Sequence, residues 1–137
     1  HSLIHKKVAN MTTDIPVVYD EETASQVPTV WRETLIRIVE AFKNNDLAAI
    51  NHIDGVQNIE LEHLHEIAEN ITDYGETLVS LPDETWETSQ ALWMGFRWDV
   101  ILDLFSEREG LSDLILSIRV FETDGVFEYS IQDIYVP

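Results

Sequence analysis

Apolar and polar residues alternate most regularly over residues 97–137. Trp98, Val100, Leu102 and Leu104 alternate with Asp99, Ile101, Asp103 and Phe105, the period of a strand with one buried face. After the polar Glu107-Arg108-Glu109-Gly110 break, Leu114, Leu116, Ile118 and Val120 alternate with Asp113, Ile115, Ser117 and Arg119. Asp124-Gly125 between two apolar runs predicts a two-residue hairpin, since glycine accepts the positive φ of a type I′ turn. The third strand is expected over 126–136. In it Phe127, Tyr129 and Ile131 share one parity while Ile134 and Val136 take the other, so a bulge is expected near Gln132-Asp133 to restore the register. The second face of this meander mixes Ile101, Phe105, Ile115 and Phe121 with Asp99, Asp103, Asp113 and Arg119. Such a face is either covered by another segment or offered to a partner.

Upstream the period changes from two to between three and four. Trp31, Leu35, Ile38, Val39 and Phe42 predict a helix over 28–44, opened by Pro28 and with Thr29 positioned to cap it. Asp46 is expected to cap a short helix through Leu47, Ile50 and Ile53 that Gly55 stops. Leu64, Ile67, Ala68, Ile71 and Tyr74 form the inner stripe of a helix over 59–74, with Glu62, Glu66, Glu69 and Asp73 outside and Gly75 as C-cap. A short strand over 77–81 ends at Pro82, and 83–90 reads as a polar loop interrupted by Trp86. The run 91–96 leads into the first meander strand as one long strand bent at Gly95.

Helices that precede the strands, and do not alternate with them, predict an α+β domain. Its N-terminal helices pack on one face of a largely antiparallel sheet that ends in a three-stranded C-terminal meander. The single domain is expected over residues 28–137, with 1–27 extended or poorly ordered. Ile15 to Tyr19 is the apolar exception in that segment, suited to an edge strand but not a central one because of Pro16.

Composition sharpens this picture at one point. The chain has 26 acidic and 8 basic residues, a formal net charge of −18, and no Lys or Arg between Lys43 and Arg97. A cationic footprint for phosphates cannot be assembled, so nucleic acid is not an expected partner. The middle segment projects a negative field that speeds encounter with a basic protein. With 45% apolar residues the chain has enough for a core, and with no cysteine it folds on packing alone. No apolar run has membrane-spanning length and residues 1–10 lack the apolar stretch of a signal peptide, so a cytoplasmic protein is expected.

Candidate chemistry is sparse. His63-x-His65 with Glu62 and Glu66 has metal-ligand residue types, but on a helix residues two apart point about 200° from each other. No metal and no cofactor is therefore expected. No nucleophile elbow, glycine-rich phosphate loop or H-E-x-x-H is present. The more informative group is Trp86 and Trp93 beside Asp83, Glu84 and Glu87, since aromatic anchors flanked by acids seat the stems and heads of Lys and Arg. Together with Asp99 and Asp103 of the meander, these seven residues are the predicted partner-binding site.

Trp98-Asp99-Val100, Leu102-Asp103-Leu104-Phe105, Glu109-Gly110-Leu111-Ser112-Asp113-Leu114 with Leu116, and Asp133-Ile134-Tyr135-Val136 resemble a family of small, functionally uncharacterised bacterial α+β domains. Some small acidic proteins of this general kind are immunity partners of secreted toxins, including those of contact-dependent growth inhibition. The resemblance implies a non-enzymatic inhibitor that binds a basic toxin, a nuclease being the natural kind, through acidic mimicry of nucleic acid. It carries no catalytic residue. The alternative is a small-molecule-binding or enzymatic domain of the nuclear-transport-factor type, suggested by a helix followed by Asn45-Asp46-Leu47 and a curved sheet, and marked by a deep pocket between helices and sheet.

Overall fold

The computed structural model describes residues 14–137. Helices α1 (Thr29–Lys43), α2 (Leu47–Ile50), α3 (Leu61–Tyr74) and α4 (Thr85–Thr88) precede strands β1 (Gln90–Trp93), β2 (Trp98–Ser106), β3 (Gly110–Thr123) and β4 (Val126–Tyr135). The strands form one antiparallel sheet in the order β1-β2-β3-β4. This is the α+β arrangement the pattern predicts, with the helical stripes of α1 and α3 on one face of the sheet.

That face is sealed. Trp31, Leu35 and Ile38 of α1 and Leu64 and Ile67 of α3 join Trp98, Val100, Leu102, Leu104, Leu116 and Ile118 in one buried cluster, the alternate residues of β2 and β3. The expected bulge is present in β4: Ile118 pairs with Ile131 and Ser117 with Asp133, leaving Gln132 unmatched. The extra residue returns Ile134 to the core, where it is fully buried. Asp124 and Gly125 both adopt positive φ, 53° and 80°, as a type I′ turn requires. A second irregularity, between Asp103 and Phe105 on β2, was not legible in the alternation. There Ser112 turns inward and its hydroxyl donates to the Leu104 carbonyl at 2.7 Å.

Several local expectations are corrected. Residues 91–96 do not continue into β2 as one bent strand: β1 ends at Trp93, and residues 94–97 turn it back so that Trp93 pairs with Trp98. Residues 83–90 are not a loop but carry α4, because Trp86 is drawn into the core. Residues 77–81 supply a single bridge, Leu78 to Ser106, in place of a strand. Thr29 does not cap α1; its Oγ1 accepts from the Ile15 amide at 2.7 Å, tying the N-terminal segment to the helix start. Asp46 occupies the N-cap of α2 without a side-chain cap bond. Gly55 lies beyond the end of α2 and serves β4 instead: its carbonyl accepts from the Tyr129 amide at 2.8 Å, and a Cβ there would stand 3.3 Å from the Phe127 carbonyl oxygen. Ile15 to Tyr19 is extended but forms no strand; Val18 offers its carbonyl to the Trp98 indole at 2.8 Å.

These segments share a task, because exposed strand edges invite foreign pairing. Ser25 exchanges two backbone hydrogen bonds with Ala91 on the β1 edge, and residues 55–57 bracket Tyr129 on the β4 edge. Where β1 stops short along β2, the Thr85 hydroxyl donates to the Asp103 carbonyl at 2.6 Å and the Ser89 hydroxyl accepts from the Asp103 amide at 2.9 Å. Further along, the Val79 amide donates to the Phe105 carbonyl.

Candidate partner-binding groove

Four of the seven predicted residues come from α4 and the turn before it. Pro82, Asp83 and Glu84 offer their carbonyls to the amides of Thr85, Trp86 and Glu87. The resulting turn of helix buries Thr85 and Trp86 and leaves Asp83, Glu84 and Glu87 exposed. Between this turn and α1 lies an open groove of about 830 Å³, walled by Asp83, Trp86 and Glu87 on one side and Arg32, Ile36, Ile15 and Gln26 on the other.

Arg32 organises the groove. Its Nε and Nη2 both donate to the Val27 carbonyl, at 3.0 and 2.9 Å, and its guanidinium carbon sits 4.9 Å above the Trp86 ring. Burial draws its pKa below the ordinary arginine value, while the charges of Asp83 and Asp14 act in the opposite sense; the group stays cationic at neutral pH. One face of Trp86 is thus already filled by a cation of the same chain, so this tryptophan is a floor of the groove and not a free anchor for a partner's Lys or Arg.

Of the other three predicted residues, two lie apart and one returns to α4. Trp93 packs tilted on Trp98 with ring centroids 4.4 Å apart and edge-on to Tyr19 at 5.2 Å. Asp99 is on the outer face of the sheet, paired with Arg97 at 2.8 Å and Arg119 at 4.0 Å. Asp103 reaches back to α4, where its carboxylate accepts from the Thr88 hydroxyl at 2.5 Å. The structure therefore gathers Asp83, Glu84, Trp86, Glu87 and Asp103 around α4 and leaves Trp93 and Asp99 outside that group. Arg32 was missed in the sequence because it reads as the polar side of α1, and its pairing with Trp86 spans residues with no local relation.

The carboxylates set the electrostatics. Among the described residues, Glu33, Glu40, Glu76 and Asp99 are the ones in ion pairs with Lys or Arg, out of 26 acidic residues in the chain. The outward side of α3 carries Glu62, Glu66, Glu69 and Asp73, all exposed. General acid catalysis calls for a carboxyl held above its usual range, whereas Glu40 and Glu76 are held below it by hydrogen bonds from Ser80 and Arg108 respectively. His63 and His65 diverge into two separate surface hollows, one beside Gln132 and one beside Asp73. Among the described residues no group of three or more His, Asp or Glu converges as a metal site, and no helix is long and apolar enough to cross a membrane.

No curated protein and no solved structure matched the chain. Residues 39–137, which run from within α1 through the whole sheet, match a family described as "Domain of unknown function (DUF7668)". The match takes in α4 and its acids but leaves Arg32, Ile36 and the N-terminal wall of the groove outside. The chain belongs to the DUF7668 family.

Proposed function

We propose that this protein is a non-enzymatic binding protein that captures a basic partner on an acidic surface, in the manner of an immunity protein neutralising a basic bacterial toxin. The observation that carries the reading is the excess of exposed carboxylates on α3 and α4 that have no ion-pair partner among the described residues, in a stretch without Lys or Arg from residue 44 to 96. Holding so many like charges on one domain is costly to the compact state, and a cationic partner relieves that cost on binding. A nuclease suits such a surface best, because a site built for phosphates accepts carboxylates in their place. The space between helices and sheet, where a pocketed domain of the nuclear-transport-factor type would hold its ligand, is filled by Trp31, Leu35, Leu64, Ile67 and Trp98, which favours surface binding over that alternative.

The test is surface-plasmon measurement with an immobilised basic nuclease toxin domain as the partner. The on-rate should fall on the order of tenfold or more as salt shortens the Debye length from about 30 Å at about 0.01 M to about 8 Å at about 0.15 M. Neutralising Asp83, Glu84 and Glu87 together should lower the on-rate more than it raises the off-rate. An on-rate indifferent to both changes would leave the carboxylates a solubilising role, and no binding at all would overturn the immunity reading.

A further inference from the structure

We propose that the end of the sheet where the 94–97 and 124–125 turns lie side by side is the apolar centre of a docking surface for a cationic, amphipathic polypeptide segment. This deepens the reading of a basic partner and rests on it, while placing the contact away from the α4 groove. The Trp98–Val120 pairing sets the 94–97 turn beside Phe121 to Thr123 at the tip of the β3–β4 hairpin. There Tyr19, Met94, Phe96 and Val126 are 55%, 41%, 65% and 62% exposed. They make up four of the eleven large apolar side chains left exposed among the described residues, gathered at one end.

Tyr19 joins this patch to a continuous aromatic wall. Trp31 and Phe127 pack at 5.5 Å, Trp31 and Trp98 at 5.1 Å, Trp98 and Tyr19 at 5.1 Å, and Trp93 lies against both Trp98 and Tyr19. Its loops are held before any partner arrives. The Tyr19 phenol donates to Glu122 at 2.6 Å, and the Met94 amide closes the turn on the Arg97 carbonyl at 2.7 Å. Gly95, at φ 95°, lets the Glu21 carboxylate approach to 3.1 Å from where a Cβ would stand. A preorganised aromatic surface loses little entropy on binding, which is the condition under which buried apolar area turns into affinity.

The charges around it choose the occupant. Asp20, Glu21, Glu22, Glu122 and Asp124 are all exposed along the rim; among the described residues, Arg97 and Arg119 both face Asp99, and Arg97 also lies 4.9 Å from the Phe96 ring centroid. A second copy of the chain would set this rim against itself, and an anionic lipid surface would be repelled by it. A segment with apolar residues for Met94, Phe96 and Val126 and flanking Lys or Arg for the rim satisfies both parts.

The experiment is an ¹⁵N NMR titration of the whole chain with a synthetic Lys/Leu amphipathic peptide and, in parallel, a Lys/Ser peptide of equal charge. Amide shift changes should centre on residues 19–22, 93–97 and 121–126, and the Lys/Ser peptide should bind about tenfold more weakly or worse. Met94→Ser with Phe96→Ser, two exposed positions whose change leaves the spectrum of a folded protein, should reduce Lys/Leu affinity by a similar factor and leave the Lys/Ser affinity alone. Shift changes confined to α3 and α4 would overturn this surface while leaving the basic-partner reading standing. Failure of both peptides to bind would sink this surface together with that reading. Phe96-dependent sedimentation as a dimer, or Phe96-dependent flotation with phosphatidylglycerol vesicles, would replace the proposed occupant by a second copy or a membrane.

Discussion

At the end of the sheet where β1 turns into β2, contacts are aromatic: Tyr19, Trp93, Trp98, Trp31 and Phe127 pack ring against ring from the surface to the core. At the opposite end, where β2 turns into β3 through residues 107–109, contacts are polar. Arg108 reaches Glu76 at 2.7 Å, the Tyr74 hydroxyl donates to Glu109 at 2.6 Å and accepts from the Asp113 amide at 3.0 Å, and the Ser106 hydroxyl meets Glu109 at 3.2 Å. Both turns close an antiparallel pair, so closing a hairpin does not dictate the chemistry. The difference lies in what salt and pH can reach: edge-on packing of rings is indifferent to salt and, below the range where a tyrosine ionises, to pH, whereas exposed charge pairs are screened and titrate.

The largest expected effect breaks the aromatic end. Trp98→Ala removes the ring shared by four aromatic neighbours and the bond to the Val18 carbonyl, and should cost about 3–5 kcal/mol in urea unfolding, unchanged by added salt. A cost below about 1 kcal/mol, the size of an ordinary substitution, would show that the wall carries little of the stability. Between the two ends, Thr85→Val keeps the shape of a fully buried side chain but strips the donor from the Asp103 carbonyl. It should cost about 1–3 kcal/mol, the penalty of a buried acceptor left unpaired. Wild-type stability in the variant would mean that β2's edge needs no cover there.

At the polar end the effects are smaller and conditional. Arg108 depresses the pKa of Glu76, so the stability this carboxylate contributes is present above its unfolded value of about 4.3 and is lost as pH falls through the lower folded value. Glu76→Gln should therefore flatten the acid limb of a melting-temperature profile, and about 1 M salt should erase most of the difference between variant and parent. An identical acid limb in both proteins would mean that the pair contributes nothing in solution.

The smallest effect tests what the two ends have in common, a tyrosine hydroxyl held by a glutamate: Tyr19 by Glu122 and Tyr74 by Glu109. These bonds raise both phenol pKa values above the ordinary one. The stability they contribute is complete below about pH 10 and is lost as pH rises through the higher folded values. Alkaline spectrophotometric titration should show late-ionising phenols, with one removed by Tyr19→Phe and another by Tyr74→Phe. Ionisation of either at the ordinary value would mean that its hydrogen bond does not persist in solution.

What the sequence determined by itself is local and periodic. Period-two alternation placed β2 and β3, the helical stripes placed α1 and α3, Asp124-Gly125 set the hairpin, and the change of parity between Ile131 and Ile134 required the bulge at Gln132, because a buried face tolerates no slip. Even the acidic field was legible, since charge needs no geometry to be counted. Only the tertiary structure decided the rest. Trp86 lies under Arg32, Thr85 and Ser89 stand in for a missing strand beside Asp103, and Tyr19 meets Glu122. Each of these pairs residues that no local pattern relates. The predicted site divided for the same reason: Trp86 and Trp93 are seven positions apart in the chain, but the turn of α4 sends one to the groove and the strand sends the other to the aromatic wall. Sequence proximity fixes a side chain's neighbours only within an element, and between elements the packing of the core assigns them.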